Sequence, residues 1–154
     1  MSRSSHARTP TRTRQPGFTL IELMIGVAVV GILSGIALPG FENQLHKSRR
    51  SDVLVATMTV HAAQERFRSN GATYGSLADI GMPSTSPAKH YTLEITASDA
   101  AGFGLLAIAA GAQSRDAGCR YMKLVSTGMN LVHTSGPDAS LANGAAANQT
   151  CWNL

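Results

Sequence analysis

Charge is scarce in this 154-residue chain: Asp, Glu, Lys and Arg make up 14% of it, against about 25% in an ordinary soluble domain. With 44% apolar residues beside so little charge, a conventional disordered chain is excluded. Acid is missing altogether from the first 17 residues, where Arg3, Arg8, Arg12 and Arg14 supply four of the 13 basic side chains. The net charge of +4 therefore resides in that leader, and residues 18 to 154 carry 9 basic and 9 acidic groups. A formally neutral body removes the usual electrostatic reason to expect a nucleic-acid partner. Cysteine is limited to Cys119 and Cys151, with no helper histidines at the close spacing of a zinc site. Gly102 and Gly104 flank Phe103, but strand-like residues follow where a phosphate loop needs a helix amino terminus. Ser, His and Asp are scattered without a nucleophile-elbow pattern. The expectation is a single domain that is not an enzyme and uses no cofactor or metal.

What the chain does have is a long apolar run. FTLIELMIGVAVVGILSGIALPGF, residues 18 to 41, holds Glu22 as its one charge. Its 24 residues exceed the roughly 20 that a helix needs to cross a bilayer core of about 30 Å. The leader arginines predict that the amino terminus stays cytoplasmic. A secretory signal would have a shorter apolar region and an A-x-A-like site after it, and neither is present. Glu22 demands compensation: an acid costs about 2.5–3.5 kcal/mol at mid-membrane, less at its depth of roughly 6 Å into the run. A cut between Gly17 and Phe18 would create an α-amine one helical turn from Glu22, an opposite charge in a low-dielectric setting.

The string RQPGFTLIELMIGVAVVGILSGIALPGF resembles the class III leader and transmembrane helix of the type IV pilin family. The resemblance implies that a prepilin peptidase cuts after Gly17 and methylates the new terminal Phe18. It also implies that Glu22 meets a neighbouring subunit's terminus during assembly. Gly31 and Pro39 mark a weakened stretch, because glycine costs about 1 kcal/mol relative to alanine and proline removes a helix hydrogen bond. That stretch is either a segment that melts in assembled pili, as the family suggests, or a simple proline kink.

After Phe41, apolar or small residues recur at Leu45, Val53, Ala56, Val60, Ala63 and Phe67 with helical spacing, and Asn70-Gly71 supplies a stop. One helix over residues 18 to 69, roughly 78 Å long, is predicted, with an apolar front half and an amphipathic rear half. Arg49 interrupts the stripe, so the core-facing surface is expected to begin at Val53. Lys47, Arg49 and Arg50 read as a solvated collar near the membrane. His61 and Glu65 share a helix face without a third metal ligand. Residues 71 to 90 read as a connecting loop with one short turn around Ser76 to Ile80. Tyr91, Leu93 and Ile95 alternate with Thr92, Glu94 and Thr96; Phe103 to Ala110 is apolar; and two further runs flank Thr127-Gly128 as a hairpin. The fold class expected is α+β: three to four antiparallel strands laid on the helix, with Phe67 in the core.

Both cysteines fall outside the cytoplasm on this topology, where disulfides persist. A bridge would hold down the small, polar segment Gly136 to Thr150, otherwise a loose tail. The arrangement is similar to the disulfide-bounded carboxyl-terminal region of type IV pilins. The ending CWNL and the stretch AAQERFRSNGATYGSLADIGM resemble PilE-type minor pilins.

The organisation expected is a removed leader (1–17), a transmembrane and assembly half-helix (18–41), and a periplasmic or extracellular globular domain (42–154). The resemblance implies a pilus subunit held in the inner membrane before assembly into an extracellular fibre that serves biogenesis, twitching motility or adhesion. Its implied partners are the prepilin peptidase and methylase, other pilin subunits and the inner-membrane assembly machinery. Two alternatives remain open. A type II secretion pseudopilin is one, although Asp116 and Asp138 do not form the acidic calcium-binding loop usual there. A pilus-borne adhesin or DNA-binding pilin is the other, for which Arg115, Arg120 and Lys123 are the one plausible basic group; nucleic acid is not the expected partner.

Overall fold

The structure is a computed structural model that describes residues 17 to 154, and of Ala37, Leu38 and Pro39 the backbone alone. The four leader arginines lie outside the described residues. The chain divides into two compact units, Met1–Pro39 and Gly40–Leu154.

The first helix, α1, is Leu20–Asn70, close to the predicted limits, and its backbone is helical through Gly31 and Pro39. From Leu20 to Ile36 its large apolar side chains are exposed, with Val29 48% and Ile36 73% accessible. It is long and apolar enough to cross a membrane by length and composition.

In the second unit, strands β1 (Tyr91–Ser98), β2 (Gly102–Ala109), β3 (Tyr121–Thr127) and β4 (Asn130–Gly136) form an antiparallel sheet in sequence order. Alternation places Tyr91, Leu93, Phe103, Leu105, Ala107, Met122 and Leu124 on one face, where they join Val53, Ala56 and Val60 of α1 in the core. The register agrees: Leu93 lies opposite Ala107, Leu105 opposite Leu124, and Ala107 opposite Met122. A bulge between Ile95 and Ala97 interrupts the β1–β2 ladder. Side chains of α1 then fix the loop that precedes the sheet. Gln64, fully buried, donates to the Gly75 carbonyl at 2.7 Å and accepts from the Gly75 N–H at 2.9 Å. Asp52 accepts from the Ser86 hydroxyl and from the N–H groups of Ala88 and His90.

Several expectations are corrected. Leu45, placed on the predicted stripe, is exposed, whereas the buried surface begins at Val53 as expected. Phe67 is half-buried over Gly75, and the core position goes to Tyr74, whose ring lies 5.2 Å from Phe103. The hairpin loop is Gly128-Met129 rather than Thr127-Gly128. Gly128 has φ of 58° at the first loop position, where a type II′ turn takes glycine. Two elements are additional: the 3-10 helix η1 (Gly111–Arg115) and helix α2 (Ala145–Trp152). The supposed loose tail is thus partly helical.

Candidate assembly site

At the front of α1, Phe18 is 83% exposed. Thr19 precedes the helix, and its hydroxyl accepts the Glu22 backbone N–H at 3.3 Å. Thr19 and Glu22 thus stand at the spacing of a capping box, with the carboxylate in the first turn, where the helix dipole favours negative charge. Gly31 and Pro39 lie along the same helix.

Where α1 enters the second unit, Arg50 is not a solvated member of a collar. Its Nε and Nη2 donate to the two oxygens of Asp116 at 2.7 and 2.9 Å, and Nη1 donates to the Thr150 carbonyl at 3.2 Å. The two side chains are 14% and 5% exposed. Hydrogen bonding to Asp116, set against the cost of burial, leaves the Arg50 pKa above its ordinary value. Buried Gln113 extends the network. Its Nε2 has two protons to share among three acceptors, the Asp116 carboxylate at 3.0 Å, the Tyr91 hydroxyl at 3.1 Å and the His46 carbonyl at 3.2 Å, and its Oε1 lies 3.1 Å from His46 Nδ1. Burial pushes the Tyr91 hydroxyl up to about 12, against a lowering from the Gln113 hydrogen bond. Fork-shaped pairing of guanidinium with carboxylate sets orientation as well as attraction, so this network fixes η1 and the last turn of α2 on α1.

Cys119 and Cys151 form the expected disulfide, with Cα atoms 5.6 Å apart. The carboxyl-terminal region is also held by contacts that sequence reasoning missed. Trp152 is 1% exposed and donates its indole N–H to the Thr134 carbonyl at 3.1 Å. The His133 ring meets it edge-on at 4.6 Å, and burial lowers the His133 pKa. Asn148 donates to the His133 carbonyl and accepts from the Ser135 hydroxyl. Asn143 donates to the Gly118 carbonyl at 2.8 Å. The chain crosses itself at Gly136, where a Cβ would stand 2.7 Å from the Leu141 Cα.

The basic residues are dispersed. Arg115 closes η1, Arg120 precedes β3, and Lys123 lies mid-strand on the sheet face opposite the core. Hydrogen bonds from Ser140 lower the Asp138 pKa, helped by the field of Arg120. His61 and Glu65 approach only to 3.9 Å. No group of three His, Cys, Asp or Glu suited to a metal occurs among the described residues.

Two family descriptions match consecutive stretches of the chain. Residues 12–38 match the prokaryotic N-terminal methylation motif. Residues 39–123, more than half of the chain, match the family described as type IV minor pilin ComP, DNA uptake sequence receptor. Similar proteins include a fimbrial protein of Neisseria meningitidis serogroup B, 37% identical over 78 residues that cover 50% of this chain and 46% of the relative. The type IV major pilin protein PilA of Myxococcus xanthus is 41% identical over 70 residues, 45% of this chain and 32% of the relative. The type IV major pilin protein PilE of Neisseria gonorrhoeae is 37% identical over 78 residues, 50% and 47% of the two chains. The chain therefore spans about a third to a half of the length of these curated relatives. With the methylation motif leading into α1 and the family match running from there through β1 and β2 into β3, the chain belongs to the type IV minor pilin family of ComP.

Proposed function

We propose that this chain is a minor subunit of a type IV pilus, processed between Gly17 and Phe18, methylated on Phe18 and assembled through the front half of α1. The observation that carries the reading is the methylation motif at residues 12–38, which joins an exposed apolar helix to a disulfide-closed α+β unit. Residues 1–17 are the leader, 18–41 the membrane and assembly segment, and 42–154 the periplasmic and later extracellular domain. Before assembly the apolar side chains are satisfied by lipid, and afterwards by other subunits. Glu22 starts with partial compensation from Thr19 and the helix dipole, and the methylated α-amine of a neighbour completes it. An unpaired charge in an apolar setting costs several kcal/mol, so this pair favours one axial register. Gly31 and Pro39 give the helix a stretch that yields when the fibre packs. The partners are the prepilin peptidase and methylase, other pilins and the assembly machinery.

Glu22→Ala tests the assembly role: cleavage stays near normal while the amount recovered in sheared fibres falls. Normal recovery of that variant would refute the role of Glu22.

The family's description as a DNA uptake sequence receptor favours a second reading, capture of DNA at the fibre. The pairing of Arg50 with Asp116 and the dispersal of Arg115, Arg120 and Lys123 weigh against a dense phosphate-binding face, which DNA affinity normally requires. Binding of duplex DNA by the full chain in detergent, lost on neutralising those three residues, would establish this reading.

A further inference from the structure

Just past the end of the apolar run, residues 42 to 50 (ENQLHKSRR) carry one acid, Glu42, against Lys47, Arg49 and Arg50. On the topology proposed above this flank lies outside, whereas Lys and Arg normally gather on the cytoplasmic flank. Arg50 is accounted for by Asp116. Lys47 is exposed and lines a hollow of about 410 Å³ with Asn43 and His46 of α1, and with Arg115, Asp116 and Gly118 from the end of η1 and the turn after it. Both oxygens of Asp116 are engaged by Arg50. Among the described residues neither Lys47 nor Arg115 forms an ion pair, so the hollow is electropositive. Its shape does not wait for a ligand. Gln113, fully buried, reaches the His46 carbonyl from two residues before Arg115, and the Arg50–Asp116 pair follows directly after it. These contacts seat η1 on α1 and keep two like charges on one hollow, an arrangement that a bound anion relieves.

We propose that this hollow binds the phosphate of an anionic phospholipid headgroup in the outer leaflet of the membrane that holds the chain before assembly. The inference rests on the subunit reading above, which makes residues 18–41 the membrane segment. Phe41, the last residue of the apolar run, and Lys47 are six residues apart on the same helix, a rise of about 9 Å. The polar layer on each side of a bilayer core is about 5–8 Å thick, and a lysine stem reaches back across that difference to place its ammonium at headgroup level. Lys47 and Arg115 then supply point and fork donors to one phosphate, with the Asn43 amide on the same wall. A DNA backbone offers phosphates too, but a duplex needs a row of cations, and Arg120 and Lys123 do not line this hollow.

The test uses the full chain, purified in detergent from a host that processes it, with native mass spectrometry to count retained lipid. Phosphatidylglycerol should be retained about tenfold better than phosphatidylcholine of the same acyl chains. Lys47→Gln with Arg115→Gln, both at exposed positions, should abolish that preference without changing Tm in the absence of lipid. Arg120→Gln with Lys123→Gln removes the same charge elsewhere and should leave the preference intact. Equal retention of the two lipids by the wild type, or equal loss in both double variants, would overturn the proposal. So would displacement of phosphatidylglycerol by inorganic phosphate at equal concentration, which would assign the hollow to a free anion, or by duplex DNA whose binding needs Lys47 and Arg115. Each of these results leaves the subunit reading intact. An uncut chain absent from membranes and fibres would overturn that reading, and the headgroup-level position with it.

Discussion

Replacing Cys119 and Cys151 by alanine removes a link between residues 32 apart in sequence. In the chain-entropy account, opening a loop of that size relieves the unfolded state of a constraint worth about 3.7 kcal/mol. An unfolding entropy of about 2.1 cal/mol/K per residue, applied to the unit Gly40–Leu154, gives roughly 0.24 kcal/mol/K, so the loss corresponds to a fall in Tm of about 15 °C. The native contacts of α2 do not depend on the bond. Trp152 keeps its carbonyl partner, and Asn148 still ties α2 to His133 and Ser135. The double variant should therefore fold at low temperature with α2 docked and unfold earlier. Thermal unfolding of the full chain in detergent, followed by fluorescence of its one tryptophan, checks both parts. A fall of less than about 5 °C would refute the entropic reckoning. A solvent-exposed Trp152 well below the transition would refute the claim that noncovalent contacts seat α2.

Asp116→Ala leaves the mostly buried Arg50 with the Thr150 carbonyl as its remaining protein partner and deprives Gln113 of an acceptor. Some water reaches Arg50, so the expected loss is about 2–4 kcal/mol, measurable by chemical denaturation at neutral pH. Tyr91 gives a pH signature. Its hydroxyl titrates near 12 in the folded chain against an ordinary value of 10.0, so its contribution is complete below pH 10 and is lost as pH rises through about 12. Tyr91→Phe should flatten the decline in Tm over that alkaline window. The lowered His133 pKa acts in the opposite direction: its contribution is complete above pH 6.5 and is lost as pH falls below that value, a slope that His133→Gln should remove. Gly136→Ala places a methyl against the backbone of Leu141 and should cost about 1–3 kcal/mol, with earlier proteolysis between β4 and α2 as the readout.

Much of the fold is legible locally. The alternation through Tyr91, Leu93 and Ile95, and the helical spacing of Val53, Ala56, Val60 and Ala63, report burial because each periodicity assigns one face to the core. Glu22 stands out because an acid in an apolar run is costly wherever the chain folds. What stayed hidden depends on distant partners. Arg50 reads as a solvated helix charge until the fold brings Asp116 beside it, from 66 residues away. The segment of α2, AAANQTCW, has good helix formers but only eight residues, too few to form a stable helix without tertiary anchorage. Its anchors are Trp152, Asn148 and the disulfide. Phe67 continues the helical stripe, yet the following loop folds back and delivers Tyr74 to Phe103 instead, so periodicity alone named the wrong aromatic.

The most direct test of the pilus-subunit account is mass spectrometry of the amino-terminal peptide, taken from cell membranes and from sheared surface fibres. The account predicts a peptide that begins at a methylated Phe18 in both fractions, with the fibre fraction containing this chain at low abundance relative to other pilins. A chain that still begins near Met1, or a processed chain confined to membranes, would contradict it.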